Sequence, residues 1–253
     1  NGSLLAYSTR EGSVDLVFRD MQTGDETILQ HTQDDSMPTL AKDLSRAIFT
    51  SGRAGSRHLW QQDLINGTPS GEPRLVSDQV KGAAHPALSP DGRWIALYRL
   101  IEDSRDIWIV PAFGGEAIQV TSHPAADIHP AWSPDGSQIA FEARSETGDW
   151  EVWLINADGS GLRNLTNTPD ASDGNPAWSP DGSHVAFSGL RGEIDYEIYV
   201  MDADGSNQTR LTNDAGLDAL PSWSPDGSKM LFYSDRDGNN EIYMMDADGS
   251  NQI

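Results

Sequence analysis

The chain contains no cysteine, which excludes disulfide staples and every form of thiol chemistry. It also lacks any apolar run near the roughly 20 residues a membrane-spanning helix needs. No charged-then-apolar leader opens the chain, so any signal peptide is expected to have been removed or left out. No stretch of 10–15 residues repeats its apolar positions every 3.6 residues between capping signals, so essentially no helix is expected. Cations are scarce as well: 17 Lys and Arg stand against 39 Asp and Glu, for a formal charge of −22. A field of that sign repels phosphate backbones and anionic lipid surfaces, and it favours cations or basic protein patches as partners. Nucleic-acid binding and membrane insertion are therefore not expected, and a monomer is.

Catalytic motifs are missing too. There is no Gly-x-Ser-x-Gly elbow for a nucleophilic serine. The six histidines form no His-x-x-x-His metal pair. Carboxylates are so numerous that any pair chosen for glycosidase chemistry would be arbitrary.

What the chain has in abundance is repetition. Ser-Pro-Asp-Gly starts at Ser89, Ser133, Ser179 and Ser224, at spacings of 44, 46 and 45 residues. One full unit begins His129-Pro130-Ala131-Trp132-Ser133-Pro134-Asp135-Gly136. It continues through Gln138-Ile139-Ala140-Phe141, Glu151-Val152-Trp153-Leu154-Ile155 and Leu162-Arg163-Asn164-Leu165-Thr166. Two weaker copies start at Pro38 and at Asn1-Gly2-Ser3. Each unit holds four short runs rich in Ile, Val, Phe, Tyr and Trp, joined by Asp-Gly turns in which glycine supplies the positive φ of a tight hairpin. Tracts such as Glu197-Ile198-Tyr199-Val200-Met201 are apolar on both faces, as strands covered on both sides are. Four-stranded units repeated at this period indicate an all-β, six-bladed β-propeller of four-stranded antiparallel blades in one domain. The blades fall at about residues 1–36, 37–83, 84–128, 129–173, 174–219 and 220–253. The first unit starts at its second strand and the last stops inside its fourth, so the ring is expected to be incomplete by about 15 residues at this repeat length. A missing strand from a longer native chain would close it.

Pro-Ala-Trp-Ser-Pro-Asp-Gly-Ser-x-x-Ala-Phe, followed by Glu-Ile-Tyr-Val-Met-Asp-Ala-Asp-Gly-Ser and Arg-Leu-Thr, resembles the TolB-like β-propeller family. The resemblance covers nearly the whole chain and is strongest from the third unit onward. It implies a periplasmic or secreted setting and a protein partner of the Pal-like lipoprotein kind, while the acidic charge points to a basic peptide. It also leaves other roles open. Related propellers form metal-dependent lyases acting on polysaccharide, or serve as non-catalytic domains of longer peptidases, and fold does not choose among these.

Candidate binding residues lie just ahead of each inner strand. Three residues before the proline stand Asp35, Asp127, Asp173 and Asp218, with Ala83 in the third unit. One residue before it stand Met37, His85, His129, Asn175 and Leu220. Propeller geometry would gather these at one mouth of the central channel, giving an acidic docking face built on Asp35, His85, Asp127, His129, Asp173, Asn175 and Asp218. Oxygen ligands there would suit Ca²⁺, and the histidines Zn²⁺ or Mn²⁺, with Asp127, His129, Asp173 and Asp218 as ligands. The plainer reading is that each aspartate caps the turn into its strand. A second candidate cation loop is Asp235-Arg236-Asp237-Gly238, whose Asp-x-Asp-Gly start resembles a Ca²⁺ loop without its closing glutamate. Trp132, Trp178 and Trp223 share one repeat position and are expected to pack between blades.

Overall fold

The structure, a computed structural model, describes residues 4–11, 13–29, 35–102, 104–122, 125–145, 148–168, 170–192 and 195–253. Asn1, Gly2 and Ser3, read above as the start of a degenerate repeat, lie outside them. The chain divides into two compact units, residues 1–124 and 125–253. Each unit holds three antiparallel sheets whose strands run in simple sequential order. Among the described residues there is no helix.

In the first unit, β1 (Leu4–Glu11), β2 (Ser13–Asp20) and β3 (Glu26–Leu29) make a three-stranded blade. The second blade is β4 (Ser36–Leu40), β5 (Arg46–Ser51), β6 (His58–Ile65) and β7 (Thr68–Leu75). The third is β8 (Ala83–Leu88), β9 (Trp94–Ile101), β10 (Ser104–Pro111) and β11 (Ile118–Gln119). In the second unit, the fourth blade is β12 (Asp127–Trp132), β13 (Gln138–Arg144), β14 (Trp150–Asn156) and β15 (Arg163–Asn164). The fifth is β16 (Ser172–Trp178), β17 (His184–Leu190), β18 (Glu197–Asp202) and β19 (Thr209–Arg210). The sixth is β20 (Asp218–Trp223), β21 (Lys229–Ser234) and β22 (Glu241–Asp246).

The turns explain much of the acidity. In each Ser-Pro-Asp-Gly turn the serine hydroxyl donates to the aspartate two residues on, at 2.6 Å in all four copies. The same hydroxyl accepts the amide of the next strand's first residue at 2.9–3.0 Å. Hydrogen bonds to the charged form hold the Asp91, Asp135 and Asp181 carboxyls below their usual range, and that of Asp226 down to about 2. The third-to-fourth-strand turns repeat the device, with Asp158, Asp204 and Asp248 accepting from Ser160, Ser206 and Ser250.

Outer strands are shorter than the sequence suggests. The periodicity predicts runs of several residues, yet β11, β15 and β19 hold two each. The reason is a side-chain substitute for the ladder. Thr121, Thr166 and Thr212 accept the amides of Ile107, Val152 and Ile198 through Oγ1, at 2.9, 3.0 and 2.9 Å.

The cores lie between neighbouring blades of a unit. Leu16 and Phe18 meet Ala47, Phe49 and Leu64. Ile48 and Leu59 meet Ile95, Leu97 and Val110. In the second unit Ala140, Val152 and Leu154 meet Val185, Phe187 and Met201, and Ile198 meets Met230, Phe232 and Met245. Each fully buried aromatic or aliphatic side chain contributes about 1.5–3 kcal/mol of hydrophobic stabilisation. Trp178 and Trp223 pack against these clusters, and Trp223 Nε1 donates to Ala177 O of the preceding blade at 3.1 Å. Trp178 and Trp223 thus pack between blades, as the repetition of their position suggested.

Candidate functional site

Every described inner strand is interrupted at the same place. In β4, β8, β12, β16 and β20 the register slips across the residue before proline and the proline itself, so two residues oppose one. The unpaired partners are Phe49, Leu97, Phe141, Phe187 and Phe232. Proline has no amide to give the ladder, and it drives its predecessor away from the right-handed helical region. That predecessor adopts the left-handed conformation in all five blades: Met37, His85, His129, Asn175 and Leu220 have φ of 56°, 48°, 53°, 54° and 58°. For a residue with a Cβ this conformation costs about 1–2 kcal/mol. A bulge of this kind re-aims a side chain, and bulges concentrate near functional sites.

Within the first unit, His85 stacks on Tyr98 with ring centroids 5.6 Å apart. Its amide donates to Met37 Sδ of the preceding blade at 3.4 Å. Within the second unit the organiser is Glu142 of β13, which is buried. Its Oε2 lies 2.8 Å from His129 Nδ1 and accepts the Asn175 amide of the next blade at 3.2 Å. Gly174 makes this possible, because a Cβ there would stand 2.3 Å from Glu142 Oε2. The Leu220 amide repeats the link one blade on, donating to Ser188 Oγ at 3.0 Å. Asn175 Oδ1 is shielded from solvent and has no hydrogen-bond partner among the described residues. Glu142 thus ties His129 to Asn175, and Ser188 ties Leu220 to the fifth blade.

The aspartates behave differently from the expectation of an open acidic mouth. Asp35, Asp127, Asp173 and Asp218 all have zero exposure. Arg53 pairs with Asp35. Arg191 grips Asp173 with both ends of its fork, at 2.9 and 2.7 Å. Arg236 donates to Asp218 at 2.7 Å, with Ser234 Oγ on the other oxygen at 2.6 Å. Each guanidinium also lies over two aromatic rings of its own blade: Phe49 and Trp60, Phe187 and Tyr199, Phe232 and Tyr243. A carboxylate removed from water needs such a counter-ion, so these residues brace the blade from inside and present no carboxylate surface. Asp127 is equally buried, with Ser145 at the arginine position of its blade.

A second carboxylate stands beside each of two of these pairs. Burial pushes the Glu151 carboxyl up, and the neighbouring Asp173 charge adds to the push, while Thr166 Oγ1 and the Thr168 amide oppose it. Burial likewise raises Glu197, against the opposing bonds of Thr212 and Arg210. Asp173 itself is raised by burial, with Arg191 pulling the other way.

The Asp235 loop is an ordinary turn, with the Gly238 amide donating to Asp235 O at 2.8 Å. Asp235 Oδ1 accepts the Leu217 amide at 2.7 Å, and Asp237 accepts from the Tyr243 hydroxyl. The two carboxylates therefore serve different neighbours. Among the described residues no three His, Asp or Glu side chains gather as a metal ligand set. The proposed ligands Asp127, His129, Asp173, Asp218, Asp235 and Asp237 are not brought together. Sequence reasoning passed over Arg53, Arg191, Arg236, Glu142, Glu151 and Glu197. A recurrent signal was present for the arginines, since each follows its aspartate by 18 residues.

Residues 146–253 match the family model of the TolB beta propeller domain. This stretch is similar to the blades of TolB propellers. A putative TolB from Agrobacterium tumefaciens superposes with a TM-score of 0.82 at 23% identity, over 98% of this chain and 88% of that one. TolB from Acinetobacter baumannii gives 0.77 at 19% identity, over 98% of this chain and 62% of that one. The same fold appears in an oligogalacturonate lyase in complex with manganese, with a TM-score of 0.72 at 21% identity over 100% and 73% of the two chains. No curated protein sequence matches the chain. The fold of these structures thus extends over nearly all of this chain. No helix among the described residues is long and apolar enough to cross a membrane.

Proposed function

We propose that this TolB-like propeller is a non-enzymatic binding module, recognising a protein or small ligand at the bulged ends of its inner strands, in the periplasm or outside the cell. The observation that carries the reading is the recurrent left-handed residue before proline. Five blades keep a strained backbone at one position, and strain retained at equivalent places points to use of the side chains it aims. In the second unit those side chains are His129, Asn175 and Leu220, which bring an imidazole, a carboxamide and an apolar tip. In the first unit they are Met37 and His85. The residues around them are held by hydrogen bonds between blades, a rigid platform of the kind recognition requires. The TolB resemblance supports a protein partner of the Pal-like lipoprotein kind, and the charge of −22 supports a basic docking surface on it. A metal-dependent lyase would need several ligands within reach of one ion, and the described residues supply no such group.

The test is titration of the chain with a Pal-like lipoprotein and with a basic peptide, at low and high salt. His129→Asn and Asn175→Gly keep residues that tolerate the left-handed backbone. Each should weaken binding about tenfold, near 1.4 kcal/mol, while the melting temperature holds. Affinity unchanged in both variants would refute the reading.

A further inference from the structure

The three turns that end the inner strands of the second, fourth and fifth blades differ in one respect. In the first unit Arg46, three residues after the turn residue Asp43, reaches across to the third blade. Its Nη2 donates to Gly92 O and its guanidinium sits 4.6 Å from the centre of the Phe113 ring. The fit is close, since a Cβ on Gly92 would stand 3.1 Å from Nη2. An arginine of the chain itself therefore fills the groove between these two blades.

The repeat places Gln138 and His184 where Arg46 stands, and Gly182 and Gly227 where Gly92 stands. In the second unit these positions frame open grooves. One, between the fourth and fifth blades, has a volume of about 370 Å³ and is lined by Gln138, Trp178 and Gly182. The other, between the fifth and sixth, has about 500 Å³ and is lined by His184, Trp223 and Gly227. The larger groove has Pro180, Val200, Trp223 and Ala247 as its apolar lining, with exposed Asp181 and Asp226 at its rim and no Lys or Arg in the lining. Hydrogen bonds from Ser179 and Ser224 hold both rim carboxylates in place. At the lip of the smaller groove Arg163 already bonds the carbonyls of Asp204 and Ala203, at 2.9 and 3.3 Å. The residue at that repeat position beside the larger groove is Thr209.

We infer that the groove between the fifth and sixth blades receives an arginine side chain from a basic segment of a partner protein, in the way Arg46 fills its counterpart. Aromatic face, carbonyl and carboxylate are the three surfaces a guanidinium uses at once, and an ammonium uses them less well. This surface is distinct from the bulged strand ends, because it lies at the opposite end of the inner strands.

The probe is a short uncharged-background peptide carrying two arginines, compared with its lysine counterpart by calorimetry or fluorescence of the tryptophans. Wild type should bind the arginine peptide at least fivefold tighter than the lysine peptide, with affinity falling as salt rises. His184→Arg supplies the groove's own occupant. It should weaken peptide binding at least tenfold and raise the melting temperature, whereas Gln138→Arg, which adds the same charge at the smaller groove, should bind like wild type. Equal affinity for both peptides together with undiminished binding by His184→Arg would assign the attraction to overall charge and overturn the inference. Absence of binding by wild type would overturn it as well. His129→Asn with Asn175→Gly should leave this binding intact, so failure here and failure of the strand-end reading are separable.

Discussion

Replacing Arg191 by methionine removes the counter-ion of Asp173 while leaving apolar bulk against Phe187 and Tyr199. Two charged hydrogen bonds are lost, at 2.9 and 2.7 Å, to a carboxylate of zero exposure. Breaking a buried pair from one side costs about 3–5 kcal/mol. At about 2–4 °C per kcal/mol for a chain of this size, that is a fall in melting temperature of roughly 6–20 °C. The pH dependence gives the sharper test. Burial already holds the Asp173 carboxyl above its usual value, and Arg191 opposes that rise, so the variant lifts it further. A carboxyl raised in the folded state contributes stability that is full below its unfolded value and is lost as pH rises through the folded value. The deficit of Arg191→Met against wild type should therefore be largest at neutral pH and shrink steadily on acidification toward the ordinary carboxylate range. Urea unfolding followed by tryptophan fluorescence, repeated across that range, measures it. Adding Asp173→Asn should recover about half of the loss. A deficit below about 1 kcal/mol, or one that does not change with pH, would refute the assignment of this pair as a buried brace.

Gly174→Ala forces a Cβ into Glu142 and should cost about 1–3 kcal/mol, with Glu142→Ala restoring most of it in the double variant; chemical denaturation of the three proteins decides. Phe187→Ala and Phe232→Ala empty fully buried positions between blades and should each cost about 3–5 kcal/mol by the same measurement. Leu220→Asn places a residue suited to left-handed backbone at an exposed position. It should leave stability unchanged or raise it by up to about 1 kcal/mol, and a loss would argue that Leu220 packs in a way its exposure conceals.

What could be read in advance follows the range of the interactions. Ser133, Asp135 and Gly136 settle their turn among themselves, and the same three residue types do so at Ser179 and Ser224. A period of such turns, with Phe141, Phe187 and Phe232 at one place in it, is enough to locate the strands. Asp173 was read as standing just ahead of its inner strand and is in fact its second residue, and its partner was not foreseen. Arg191 lies across a hairpin whose register is shifted by the bulge at Asn175-Pro176, and that slip is not visible in alternation of apolar and polar residues. Glu142 escaped for a related reason. Its significance depends on the missing side chain of Gly174, one blade away. The short outer strands were missed because threonine reads as a strand former, and nothing local announces that its hydroxyl will replace a backbone acceptor.

The pairing of Asp173 with Arg191, like that of Asp218 with Arg236, is completed inside one blade. A repeat of this type brings its own neutralising partner wherever it is copied. Gene duplication or loss of a whole module would leave no orphaned charge behind, which removes one obstacle to changing the number of repeats and frees the loops and grooves to diverge independently.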